Sequence, residues 1–396
     1  MLGVALAVTV GVDITATPTG AHAALAQTPV TSTLVPRATT TTPPTTAPPV
    51  TTAPTTTPPP PVATTQAAPA PKPHAPATAA KPTTPTHPAP TQAGRVAASI
   101  PFGVYVGSAD PSGVASFASS TGTHPAYAAD YLPINNGWAG MSDASQLSWL
   151  FGAWRGTGYT LDLGVPIIPT DSSGNPVGTL AGGAAGQYNQ YFVTLGQSLV
   201  SYGEGNAVLR LGWEFNGNWY PWAVSDATDA ANFAAYFRQI VTSMRSVPGQ
   251  SFKFVWNPDG GGASSDGSYT PAQAYPGSAY VDDIGIDMYD QCWSSPITPQ
   301  NAWEEQLTGT WGLDWVASFA SAEGRPIVFP EWGVTGTGSS HGMGDDPYFI
   351  DQFGAWIVQH DVAWTAYFNY DASDGSHDLF DGSFPATLAA FRTVFG

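Results

Sequence analysis

From Phe102 onward, short apolar runs alternate with stretches of helical spacing. The runs at 102–106, 126–132, 163–169, 208–214, 252–256, 284–288, 327–331 and 363–369 read as strands. Between them, 146–154, 187–202, 227–245, 303–322, 349–360 and 386–395 carry helical periodicity, with Gly309 and Gly312 marking a break in the fourth. The strand runs are continuous rather than alternating, as parallel strands covered on both faces should be. Eight such strands separated by helices predict an α/β fold, a (β/α)8 TIM barrel. An open doubly wound sheet would want a Gly-rich phosphate turn after its first strand, and Gly107-Ser108-Ala109-Asp110-Pro111 is not one.

Composition divides the 396 residues into three. Residues 1–26 are small and apolar, end in Ala-x-Ala sites and read as a signal peptide, although no basic residue leads the run. The apolar run is too short for a membrane span. Residues 27–95 are mostly Thr, Pro and Ala, which favours a disordered, extended linker. The globular part is expected at 96–396. It holds 7 Lys plus Arg against 28 Asp plus Glu, so 7 − 28 = −21. That charge excludes a nucleic-acid partner, whose phosphates need cations. It suits a neutral polymer outside the cell. The single cysteine, Cys292, forms no intrachain disulfide, and its neighbours supply no base to make it a nucleophile.

Candidate chemistry lies at strand ends. The globular part has six glutamates, and two of them, Glu214 and Glu331, close apolar strand runs. Each is followed by aromatics: Phe215-Asn216-Gly217-Asn218-Trp219-Tyr220-Pro221-Trp222 after the first, Trp332-Gly333 after the second. A carboxylate at the end of a buried strand is costly unless it is paired or used. Two of them suggest a two-carboxylate glycoside hydrolase. Trp219, Trp222, Trp256, Trp332 and Trp364 are candidate sugar platforms, each with packing in the core as its other reading. Asn216 is a candidate contact or a loop turn, and Asn369 a weaker candidate at the rim. Asp371, Asp374, Asp378 and Asp381 miss the spacing of a calcium loop, the histidines form no ligand pattern, and no Gly-x-Ser-x-Gly elbow occurs. No metal and no cofactor are expected.

The stretch Arg210-Leu211-Gly212-Trp213-Glu214-Phe215-Asn216-Gly217-Asn218-Trp219-Tyr220-Pro221-Trp222 resembles the strand-four motif of glycoside hydrolase family 26, Arg-x-x-His-Glu-x-Asn-Gly-x-Trp-x-x-Trp. Glu331 is similar to the family's strand-seven glutamate, and Asp287-Met288-Tyr289 to its strand-six Asp-x-Tyr. The resemblance implies a retaining barrel glycosidase, with Glu214 as acid/base and Glu331 as nucleophile. It further implies that Tyr289 hydrogen-bonds the nucleophile and that Arg210 fixes its charge. Trp213 stands where the family has His, close to the cleaved bond, so the sugar is left open. β-Mannan is the first expectation, then β-glucan or xylan, for a secreted monomer. A non-catalytic carbohydrate-binding barrel on a stalk is the reading from another class.

Overall fold

The computed structural model describes residues 97–262, 267–338, 341–373 and 375–396. The expected signal and linker segments, 1–26 and 27–95, lie outside the described residues, as does Asp374. The barrel strands are β1 (Phe102–Tyr105), β2 (Tyr127–Tyr131), β3 (Thr160–Val165), β4 (Val208–Leu211), β5 (Lys253–Trp256), β6 (Asp283–Gly285), β7 (Met288–Asp290), β8 (Ile327–Val334) and β9 (Val362–Phe368). All barrel pairings are parallel, and β6–β8 and β9–β1 pairings close the ring. This is the eight-position (β/α)8 barrel that the apolar runs predict.

The sixth position is divided. The run 284–288 was expected as one strand, but β6 pairs with Ile327 and Val328 of β8, and β7 pairs further along with Trp332–Val334. Between them, Asp287 leaves the ladder of β8. Its N–H donates to Pro258 O at 3.1 Å and its carbonyl accepts from Gly260 at 2.9 Å. Asp287 therefore sits on the loop after β5, at the mouth. The β8–β9 register slips between Phe329 and Trp332. Pro330 lies there and has no N–H for the ladder, so the strand bulges beside Glu331.

Ten α-helices are described: α1 (Pro111–Thr121), α2 (Gly137–Ser142), α3 (Ser148–Trp154), α4 (Leu180–Ala184), α5 (Asn189–Tyr202), α6 (Ala227–Arg245), α7 (Pro299–Thr308), α8 (Leu313–Glu323), α9 (Pro347–Ile357) and α10 (Pro385–Val394). The break at Gly309 and Gly312 separates α7 from α8. The longest, α6, starts at Asp226, whose side chain accepts from the N–H groups of Thr228 and Asp229. It buries Phe233, Tyr236, Phe237, Ile240 and Met244 on one face. Among the described residues, no helix is long and apolar enough to cross a membrane.

Candidate active site

β4 ends at Leu211, so Glu214 stands three residues beyond it, in a turn rather than on the strand. Gly212 has φ +59° and Glu214 φ +51°, the left-handed region that a residue with a side chain avoids. Two bonds hold Glu214 there: its N–H donates to Asn257 O at 2.8 Å, and its carbonyl accepts from Gly217 at 2.9 Å. The reversal returns Trp219 to the acid, and its Nε1–H donates to Glu214 Oε2 at 2.8 Å. Gly217 permits this closeness, since a Cβ there would lie 2.4 Å from the Trp219 ring.

Glu331 arrives from β8. Arg210 Nη1 donates to its Oε1 at 2.5 Å, and the Tyr289 hydroxyl donates to its Oε2 at 3.0 Å. The guanidinium also lies 3.3 Å from Asp162 and 3.9 Å from Asp287, with its carbon 4.8 Å from the centre of the Tyr131 ring. One carboxylate oxygen from each of Glu214, Asp287 and Glu331 falls within 4.8 Å of the other two. Such a trio has the donors for a divalent cation. Arg210 already stands against Glu331 and Asp287, however, so the counter-charge of this cluster is an arginine.

The two glutamates differ in their neighbours, Arg210 and Tyr289 at Glu331 and Trp219 at Glu214. Burial pushes the Glu214 carboxyl well above its ordinary value, and the negative charges of Glu331 and Asp259 add to the push. The Trp219 N–H and the more distant Arg210 oppose it. Burial likewise raises Asp287 well above the carboxylate range, and Asp162 and Asp259 to about 7 each.

Most of the tryptophans expected to stack on sugar are corrected by their burial. Trp222, Trp256 and Trp332 are 0% exposed and Trp364 is 1% exposed, so none offers a face to a ligand. Trp222 stacks on Tyr220 at 4.5 Å, and its Nε1 donates to Trp213 O. Trp256 packs between Phe215 and Phe319, and Trp332 against Phe353 and Tyr367. Trp364 stacks on Tyr127. Trp213 is also buried, wedged among Tyr131, Tyr220 and Trp222 with Nε1 donating to the Tyr220 hydroxyl at 3.0 Å. Asn216 is another correction. Its amide donates to Asp259 O at 2.8 Å and accepts from Asp259 N at 2.7 Å, tying two loops together. Asn369 similarly spends its amide on Asp378 and Leu379. Trp219, half-buried beside Glu214, is left as the tryptophan of the proposed set with open surface at the site.

Asp162, Asp259, Tyr131 and Tyr220 were missed from the sequence, and Asp287 was quoted there without a role. Asp162 carries the same signal as Glu214, an acid inside an apolar run, Leu161-Asp162-Leu163. Asp259 closes the loop after β5. Tyr131 carries no signal apart from ending β2, and Tyr220 none apart from its place in the loop after Glu214.

Comparison with known proteins finds similarity over the segment that carries these residues. A family model, Glycosyl hydrolase family 26, matches residues 204–331, which include both glutamates, Arg210 and Tyr289. The chain is 27% identical over 230 residues to Endoglucanase H of Acetivibrio thermocellus, covering 53% of this chain and 22% of that protein. It is 28% identical over 158 residues to a mannan endo-1,4-beta-mannosidase of Bifidobacterium adolescentis, covering 39% of this chain and 15% of the other. The chain thus spans about a fifth or less of the length of these curated relatives. Its fold is similar to that of a modular endo-beta-1,4-mannanase from Cellulomonas fimi, with TM-score 0.53, 20% identity, and coverage of 78% of this chain and 74% of that one. The catalytic domain of an endo-beta-1,4-mannanase from Bacillus sp. JAMB-750 is similar at TM-score 0.51 and 17% identity, over 77% and 89% of the two chains. The matched segment takes in Arg210, Glu214, Asp287, Tyr289 and Glu331, so over this part of the barrel the chain is similar to glycosyl hydrolase family 26.

Proposed function

We propose that the protein is a retaining endo-glycosidase acting on β-linked polysaccharide, β-mannan first, with β-glucan and xylan next. The observation that carries this reading is the approach of Glu214 and Glu331, whose nearest oxygens lie within 4.8 Å. Retention needs two carboxyls about 5–5.5 Å apart, whereas inversion needs about 6.5–9.5 Å to admit a water between them. Glu331, aimed by Arg210 and Tyr289, attacks the anomeric carbon. Glu214 holds a proton in its buried setting and gives it to the leaving oxygen. It then takes a proton from the water that releases the sugar. The substrate order rests on the relatives, one an endoglucanase and one a mannanase. Trp213 is buried against Tyr131, Tyr220 and Trp222, so specificity falls to the surrounding loops. Action outside the cell rests on the composition of residues 1–26 alone. A purely sugar-binding barrel leaves the carboxylate cluster without a purpose.

The test separates the glutamates by role. Glu331→Ala should abolish cleavage of both polysaccharide and an activated aryl glycoside. Glu214→Ala should lose polysaccharide cleavage and keep the first step on the activated substrate, with azide accelerating turnover and ending up on the sugar in retained configuration. Azide rescue of Glu331→Ala with retained configuration, and of Glu214→Ala with inversion, would reverse the roles. Unchanged activity in both variants would place the chemistry elsewhere.

A further inference from the structure

The tryptophans with the right sequence context are mostly buried, whereas one with no such context is displayed. Trp293 is 64% exposed, the most exposed of the large apolar side chains among the described residues. Its ring is nonetheless held in place. One face lies on the imidazole of His341, with centroids 3.4 Å apart and planes 20° from parallel. Glu305 Oε2 accepts from Trp293 N at 2.9 Å, Ser294 N at 3.1 Å and Ser294 Oγ at 2.9 Å, pinning the turn that carries the ring. Cys292 N donates to His341 O at 2.9 Å, which joins the strand exit to the loop beneath the imidazole.

The position relative to the chemistry follows from the chain. Tyr289, on β7, reaches Glu331 with its hydroxyl, and Trp293 comes four residues later on the outgoing segment. Four residues span at most about 14 Å, which keeps Trp293 within a few sugar units of Tyr289. An aromatic face backed on one side and open on the other is the surface on which the C–H face of a pyranose packs. A ring fixed in advance loses little side-chain freedom when it binds. We infer that Trp293, backed by His341, is a platform for a sugar unit of the polysaccharide some residues away from the cleaved bond. This rests on the proposed glycosidase reading and extends it to a distal subsite.

The experiment compares Trp293→Ala and Trp293→Tyr with the parent on soluble β-mannan, β-glucan and xylan, and on an activated aryl glycoside too short to reach the platform. Trp293→Ala should lose about tenfold in kcat/KM on the polymer that the parent cleaves, the loss of one stacked ring, carried by KM. It should leave the aryl glycoside unchanged, and Trp293→Tyr should recover most of the loss. An equal loss on both substrates would mark Trp293 as structural, and no loss on the polymer would also overturn the platform. If the parent cleaves none of these substrates, the glycosidase reading fails and the platform is read by electrophoresis in gels containing each polymer. Retardation of the parent and not of Trp293→Ala supports the platform, and equal mobility in every gel rejects it.

Discussion

Burial weakens Glu214 as an acid, and its contact with Trp219 works against that. The indole N–H donates to Glu214 Oε2 and favours the ionised form, against burial, Glu331 and Asp259. Replacing Trp219 by Phe removes that donor and makes ionisation harder. If Glu214 is the general acid, the alkaline limb of kcat/KM against pH tracks its ionisation. In Trp219→Phe that limb should therefore move to higher pH. A limb that stays in place or moves down would separate Trp219 from the acid. The fate of the other tryptophans was partly legible. Successive side chains in a strand point to opposite faces. Since Glu331 faces the barrel mouth, Trp332 must face α9 and α10, where it lies against Phe353 and Phe391. The adjacency that made Trp332 look like a sugar platform is what turns it away from the barrel mouth. Trp293 had no acid beside it, and its display depends on Glu305 and His341, which are 12 and 48 positions away along the chain.

At the level of elements, apolar runs sufficed for the barrel because every strand is covered on both faces, and covered strands leave continuous runs. The short helices α1, α2 and α4 were not foreseen. For α1 the signal was present: Asp110 accepts from Gly113 N at 2.8 Å as an N-cap, and Pro111 occupies the first turn. For α4 it was absent. Its sequence, Leu-Ala-Gly-Gly-Ala, has poor helix propensity. Its glycines answer to a distant partner: a Cβ on Gly183 would lie 2.3 Å from the Tyr236 ring of α6, and the Tyr236 hydroxyl is tied to Ile167 O at 2.6 Å. The division of β6 from β7 was illegible for a similar reason. It is made by the loop after β5, whose backbone takes Asp287 away from β8.

Across the described residues, several carboxyls are buried, and Arg210 stands against three of them, Asp162, Asp287 and Glu331. Burial raises Asp130 to about 6, Asp162 and Asp259 to about 7, and Glu214 and Asp287 well above their ordinary values. Between the ordinary carboxylate value, about 4, and these raised values, the folded chain keeps protons that the unfolded chain releases. Stability then falls as pH rises. The contribution is complete below the ordinary value and is lost as pH climbs through the raised ones. Asp171, Asp345 and Asp381 are lowered by hydrogen bonds, and their contribution is lost only as pH falls below the ordinary value. Tm should therefore decline from about pH 5 to pH 8, as calorimetry at matched ionic strength would read. A Tm that climbs over that interval would contradict the arrangement.

The left-handed backbone at Glu214 reaches beyond the single molecule. Few residues sit comfortably there, chiefly Gly and Asn, and neither can pass a proton to a leaving group. If Glu214 is the acid of the proposed hydrolysis, selection for that role is what keeps a glutamate at such a place. In a lineage that had duplicated this gene and given up hydrolysis, drift at position 214 would be directed by backbone comfort. Descendants lacking the Glu331 counterpart should show Gly or Asn at position 214 more often than Gln, the nearest mimic of the side chain. A survey in which Gln predominates would mean that the turn costs the fold little.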